Sequence, residues 1–328
     1  MEHKKTGSLR LVTLKIKLIM NYIKEKPLFA VCLAAYNGMA YIGEQIDSIL
    51  LQNTVDIQIF ISIDQSTDGT ECRLAEWALS EPRLTLLAIG QRFGGAAPNF
   101  YRLLCEVDFS NFDYVSFADQ DDVWLPDKLL RAHEMLLSTG ADGYSSNVLA
   151  FWPNGRRVLV EKSQEQVRWD FLFESAGPGC TYVMRKELAY SIRDLIKNRC
   201  EDIKKVGLHD WFAYAFARAN GYRWVIDGYA GMLYRQHEKN QIGVNFGSRA
   251  FVQRARKVLN GWGLSQSALI AQLVGLGDDP FVKRWSGSSR LGFLLLAFSA
   301  RQCRRRMRDK IIFSLSCLAL FIAGKRSP

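Results

Sequence analysis

The chain alternates short unbroken apolar runs with segments whose apolar residues return every three to four positions. Residues 29–35 are wholly apolar and stop at Tyr36, Asn37 and Gly38. That pattern predicts a strand buried on both faces, followed by a turn. In residues 41–51, Ile42, Ile46, Ile49 and Leu50 stand at helical spacing. Residues 57–63 predict a second buried strand and 70–80 a helix, with Ser66, Thr67 or Asp68 as its N-cap. A strand over 84–89, a helix over 99–107 and a strand over 114–118 follow, and Pro126 sits where another helix would begin. This alternation predicts an α/β fold: a mostly parallel sheet flanked by helices. In such sheets ligands bind at the carboxyl ends of the strands, and the polar clusters of this chain fall there.

Farther on the pattern is less regular. Residues 140–160 predict strands and a loop, 177–184 a strand, and Lys186 the start of a helix. An aromatic-rich helix is expected over 209–220, with short strands over 224–226 and 232–234. From about Ser248 the text becomes Arg-rich and helical, over 249–259, 266–276, 292–308 and 311–322. Three regions result: a basic N-terminal extension (1–26), an α/β domain (27–247) and a basic, apolar helical region (248–328).

A length of 328 residues suits one large domain with an appendage. The net charge of +10 is unevenly placed. Residues 1–26 hold seven Lys/Arg against two acids and residues 249–328 hold fifteen against three, which leaves the middle acidic. A nucleic-acid binder would carry its basic residues on the folded domain, so nucleic acid is not an expected partner. Basic ends on an acidic body suit an anionic surface. The seven cysteines are scattered without a C-x-x-C pair, which points to a reducing compartment and to neither a zinc site nor a disulfide framework. Lys15 and Lys17 interrupt the apolar stretch 9–23, so it does not read as a signal peptide. An alternative start at Met20 would leave residues 1–19 outside the native chain. No apolar run reaches the ~20 residues of a membrane-spanning helix.

The strongest chemical signal follows the strand at 114–118, where Asp119, Asp121 and Asp122 fall within four residues. Carboxylates this close repel one another, and a hard divalent ion such as Mg2+ or Mn2+ is their natural partner. Asp64, after the second strand, can accept from a base N–H or a ribose hydroxyl; an N-cap alone would look the same. Ala34, Tyr36 and Asn37 close the first strand, where the ring of Tyr36 could lie on a nucleobase or simply mark a turn. Asp210, between His209 and Trp211, opens the aromatic helix, and the helix dipole there favours its charged form. It can serve as a general base or as a cap. Arg235 and His237 could clamp a diphosphate, complete a metal shell or belong to a surface loop.

Taken in order, Ala34–Gly38, Asp64–Thr70, Asp119–Lys128, His209–Trp211 and Tyr234–His237 resemble the family-2 inverting glycosyltransferases of GT-A fold. Within that family the Asp-Gln-Asp-Asp-Val-Trp and Tyr-Arg-Gln-His stretches are most similar to bacterial rhamnosyltransferases of surface-polysaccharide synthesis, O-antigen and lipopolysaccharide among them. The resemblance covers about residues 29–246. It implies that Ala34, Tyr36, Asn37 and Asp64 contact the nucleotide, Asp64 reading the pyrimidine. Asp119 and Asp121 would form the Asp-x-Asp motif, with Asp121 nearest the ion, Asp119 also on the donor, and Asp122 supporting. It makes Asp210 the general base flanked by His209 and Trp211, and places Arg235 and His237 at the diphosphate or metal. Two positions depart from the family pattern. Ile63 and Gln65 stand where a second acid and a glycine are usual, and Ala34 where Thr or Ser is common.

The implied reaction is a single displacement with inversion, L-rhamnose passing from dTDP-rhamnose to a saccharide acceptor, lipid-linked or of lipopolysaccharide type. A UDP-hexose donor is the alternative within the fold, and a non-catalytic nucleotide-sugar-binding scaffold the alternative outside it. A nucleotidyltransferase would want a Gly-rich basic loop after the first strand, and Tyr36-Asn-Gly-Met is not one. The basic run 301–310 lies between apolar stretches 291–298 and 311–323, which suits docking on the anionic inner face of the plasma membrane. A cytoplasmic, peripheral enzyme is the expectation.

Overall fold

The computed structural model describes residues 26–237, 261–287 and 289–323. The expected helix over 249–259 and the junction at 247/248 lie outside the described residues, as does nearly all of the N-terminal extension. The first half alternates as its pattern dictates: β1 (Leu28–Ala35), α1 (Ile42–Leu50), β2 (Asp56–Ile63), α2 (Thr70–Ser80), β3 (Leu84–Leu86), α3 (Ala96–Glu106) and β4 (Tyr114–Asp119). Then come β5 (Val123–Trp124), α4 (Lys128–Thr139), β6 (Gly143–Ser146), β7 (Val148–Phe151), β8 (Arg157–Val160), β9 (Val183–Arg185), α5 (Lys186–Asn198), α6 (Cys200–Ile203) and α7 (His209–Ala219). Strands β10 (Trp224–Asp227) and β11 (Met232–Arg235) precede helices α8 (Trp262–Leu273), α9 (Pro280–Ser286), α10 (Arg290–Phe298), α11 (Ala300–Cys303) and α12 (Met307–Ala323).

Seven strands form the main sheet in the order β10-β6-β9-β4-β1-β2-β3. Every neighbouring pair is parallel except those of β9, which runs antiparallel to both β4 and β6. Alternate residues of β1 feed two cores. Phe29, Val31 and Leu33 pack with Ile42, Ile46 and Leu129 on one face, and Ala30 and Cys32 with Phe100, Leu104 and Phe212 on the other. Both faces are therefore covered, which is why the central strands carry no polar alternation.

Register fixes the site. Ala34 pairs with Ser62 on one side and Asp119 on the other, so β1, β2 and β4 end level and their loops emerge together. A second sheet, ordered β5-β11-β7-β8, lays β11 antiparallel beside β5, directly after the acidic cluster.

Two expectations needed correction. Residues 177–184 are not one strand: Gly177 takes φ +152°, Pro178 follows, and a 3-10 turn (Gly179–Thr181) intervenes before β9. The helix expected over 292–308 is broken. Arg304 is extended because its guanidinium donates to the Phe173 carbonyl and that of Arg305 to Asp170, which draws the backbone out of the helix. The C-terminal helices share one core with the α/β domain, Ile270, Trp285, Leu296 and Cys303 packing in the same cluster as Phe100 and Phe212. Among the described residues no helix is long and apolar enough to cross a membrane.

Candidate active site

Asp119 is the last residue of β4, and the loop after it carries Gln120, Asp121 and Asp122 to the start of β5. Asp119 and Asp121 are half-buried and Asp122 is fully buried. Burial first, then repulsion from Asp121 and Asp210, raises the Asp119 carboxyl to about 7. Burial and the charges of Asp121 and Asp119 likewise hold Asp122 well above the carboxylate range.

The loop is braced from the second sheet. Asp122 Oδ1 accepts the Arg235 backbone N–H at 3.0 Å, and Arg235 Nε donates to the Asp121 carbonyl at 2.8 Å. Two residues on, His237 Nε2 lies 2.7 Å from Asp121 Oδ2, and its ring stacks on Tyr41 at 5.3 Å between centroids.

Asp210 opens α7. Its Oδ1 accepts the Trp211 backbone N–H at 2.7 Å, and burial raises its carboxyl to about 6. The 3-10 turn at Gly179–Thr181 connects it to the acidic loop. The thiol of Cys180 lies within 4.8 Å of Asp119 and Asp122, while Gly179 backs directly onto His209 and Asp210. The carboxylates of Asp119 and Asp210 thus stand on either side of one turn, close enough for the charge of Asp210 to raise Asp119.

On the β1–β2 side, Tyr36 is half exposed, its ring open at the strand end. Ala34 is buried beneath it, level with Asp119. Asn37, at φ +45°, stitches two loops together: its N–H donates to Ser66 Oγ at 3.0 Å and its Oδ1 accepts from Thr67 N at 2.8 Å. Asp64 is buried, and its two oxygens accept the N–H groups of Phe93 and Gly94 at 2.6 and 2.8 Å. It shapes the loop at 93–94, where the sequence pointed to direct contact with a base.

Three other expected site residues make scaffold contacts. Arg235, expected at a diphosphate, has its guanidinium between the rings of Tyr41 and Phe151, each 4.6 Å from the centroid, and paired to Glu44. A cation so enclosed binds its own loops. His209 stacks on Phe100 at 3.9 Å, and burial lowers its ring to about 3, so it is neutral packing. Trp211 is buried, its Nε1 donating to the Phe171 carbonyl at 2.9 Å, and it anchors α7 beneath Asp210.

The sequence reading missed Gln120. Its amide accepts from Tyr36 N–H at 2.7 Å and donates to the Tyr36 carbonyl at 2.8 Å, tying the first loop to the acidic one. Its place between the acids was the available signal. Lys128 was also missed as a site residue. It is buried with Nζ 3.5 Å from the Trp124 ring centre, and burial lowers it to about 7 against the opposing pull of Asp122.

Donor atoms of Asp119, Asp122 and Cys180 lie within 4.8 Å of one another. Burial pushes the Cys180 thiol up, and a protonated thiol is a poor ligand for a hard ion. One oxygen of Asp122 is already taken by Arg235. Asp121 and His237, 2.7 Å apart, and Asp119 at the end of β4 supply oxygen and imidazole donors to this loop, a chemistry that suits Mg2+ or Mn2+.

Residues 30–189 match the model of Glycosyl transferase family 2. Over 284 residues the chain is 45% identical to the dTDP-rhamnosyl transferase RfbG of Shigella flexneri, an alignment spanning 86% of this chain and 98% of that protein. Among solved structures, S. aureus TarS 1–349 in complex with UDP-GlcNAc shares the fold, with a TM-score of 0.51 and 17% identity over 91% of this chain and 89% of that one. The mannosyltransferase PcManGT from Pyrobaculum calidifontis, in complex with GDP-Man and Mn2+, aligns with a TM-score of 0.50 and 17% identity over 92% and 88%. With a near full-length relative at that identity and a GT-A sheet ending in the acidic loop, the chain belongs to glycosyl transferase family 2 and is a glycosyltransferase.

Proposed function

We propose that this glycosyltransferase transfers L-rhamnose from dTDP-rhamnose to a saccharide acceptor, with inversion and with a divalent ion at Asp119, Asp121 and His237. The carrying observation is the 45% identity to a dTDP-rhamnosyl transferase along 98% of that protein's length. The ion, when bound, neutralises charge developing on the departing diphosphate. Tyr36 offers its exposed ring to the thymine, on a loop held by Gln120.

Asp210 takes the proton of the attacking hydroxyl. Its position at the head of α7 favours the anion. The Trp211 N–H fixes one oxygen and leaves the other for the acceptor. A carboxyl near 6 is a stronger base than a free aspartate yet ionised at neutral pH. The nucleophile is the acceptor hydroxyl, so one displacement inverts the anomeric carbon. The acceptor is a saccharide on a lipid carrier, reached from the inner face of a bacterial membrane.

The test is a donor panel with purified protein and a lipid-linked saccharide. Turnover of dTDP-rhamnose, abolished by EDTA and restored by Mn2+ or Mg2+, is expected. Turnover of UDP-glucose, UDP-galactose or UDP-N-acetylglucosamine without rhamnosyl transfer would overturn the donor assignment. Nucleotide binding without turnover of any donor would favour a scaffold.

A further inference from the structure

Beyond its charged first turn, helix α12 is apolar on both its inner and its outer face, broken by Ser314 and Ser316. Its inner face carries Phe313, Cys317 and Leu320: Phe313 meets Phe173 at 5.1 Å between centroids, and Cys317 and Leu320 are buried. Ser314 Oγ donates to the Ala297 carbonyl at 2.9 Å and fastens α12 to α10. The outer face is equally apolar and open: Ile311, Leu315 and Ile322 are 55%, 61% and 79% exposed, and recur at helical spacing. Leu291 and Phe298, seven residues apart on α10, are 75% and 81% exposed. A soluble helix would place polar residues on such a face.

Charge accompanies these residues. Arg290 and Arg308 are exposed at the starts of these two helices, and Arg301 is exposed on α11 between them. Two other arginines of the basic run point inward and are unavailable to a partner. Arg305 is fully buried on Asp170 at 3.0 Å, and Arg304 donates to the Phe173 carbonyl. That corrects the expectation that the whole run faces a membrane.

We propose that the outer faces of α10 and α12 form a docking surface for an anionic lipid bilayer. A helix of 17 residues that packs one side against its own domain cannot span ~30 Å of hydrocarbon; it lies in the interface, apolar side chains down and arginines among the headgroups. A second copy of the chain fits less well. Pairing these faces would bring two sets of arginines together, with only three acids in the whole of 249–328 to offset them. The surface lies on these two helices and is independent of the donor assignment. It also gives a lipid-borne acceptor a fixed approach: Arg305, just before α12, holds the Ser175 carbonyl at 2.7 Å, and the Ser175 hydroxyl donates to the Gly177 carbonyl at 3.0 Å, two residues before the Gly179 that backs onto Asp210.

Vesicle co-sedimentation of the full chain tests this without any sugar donor. The probes are phosphatidylcholine vesicles with and without phosphatidylglycerol. The wild type should bind the anionic vesicles and release them as salt rises. Ile311→Asp with Leu315→Asp should weaken that binding by about tenfold or more. Arg301→Gln with Arg308→Gln should weaken it on the order of thirtyfold at low salt, and only where phosphatidylglycerol is present. Unchanged circular dichroism and melting temperature would show that the variants fold. Three results would overturn the proposal: no wild-type binding to anionic vesicles at low salt, binding indifferent to both double variants, or a stable wild-type dimer that the Asp variants dissociate.

Discussion

His237 Nε2 stands 2.7 Å from Asp121 Oδ2, although 116 residues separate them in the chain. The antiparallel pairing of β11 with β5 makes the approach, and Arg235 locks it, its guanidinium donating to the Asp121 carbonyl and its backbone N–H to the Asp122 carboxylate. If the pair serves an ion, His237→Ala should weaken Mn2+ binding by about 10- to 100-fold, and Asp121→Asn by more. Calorimetry with Mn2+ in the presence of dTDP reads this directly. Equal affinity in wild type and both variants would remove these residues from the ion's shell.

Asp210 carries a pH signature. Its carboxyl is raised to about 6, chiefly by burial, so kcat should fall as pH drops through about 6 and be level above 7. Stability has the opposite sign. A raised carboxyl contributes stability below its unfolded value of 3.8, and that contribution is lost as pH rises through about 6. Asp210→Asn at pH 8 should therefore keep or raise the melting temperature while removing activity. A fall of several degrees would show that the ionised carboxylate supports the fold.

Gly179 lets the turn sit against the base. A Cβ there would lie 2.6 Å from His209 Nε2 and 3.2 Å from the Asp210 Cβ, and His209 is pinned against Phe100. Gly179→Ala should displace Asp210 and lower kcat by about 10- to 100-fold, with little change in donor KM. Steady-state kinetics with dTDP-rhamnose checks the split.

Arg305 and Asp170 form an ion pair with both side chains fully buried, and Asp170 is shared with Arg218 and Tyr214. Truncating Arg305 leaves the buried Asp170 carboxylate to Arg218 and Tyr214 alone, so Arg305→Met should cost up to about 3–5 kcal/mol in urea unfolding. Adding Asp170→Asn should recover part of it. A single-variant loss below about 1 kcal/mol would place the pair among weak, solvated bridges.

The central sheet was legible because strands buried on both faces leave unbroken apolar runs, each closed by a polar turn. Level registration of β1, β2 and β4 then gathers Tyr36, Asp64 and Asp119 without further information. Contacts made by side chains from distant elements were not legible. Arg235 looks like a phosphate clamp in sequence, because nothing local shows Tyr41 and Phe151 closing on its guanidinium. His209 looks like a site residue until Phe100 is found beneath it. The break before α12 was hidden for the same reason: it exists to deliver Arg305 to Asp170, 135 residues earlier in the chain.

The central claim is that one cleft divides its labour, with Asp119 and Asp121 serving the donor and Asp210 the acceptor. The most direct measurement compares dTDP–Mn2+ affinity with rhamnosyl transfer in Asp210→Asn. The account predicts unchanged nucleotide affinity with transfer lowered by about 10²- to 10⁴-fold. Transfer at the wild-type rate, or loss of nucleotide binding along with transfer, would contradict it.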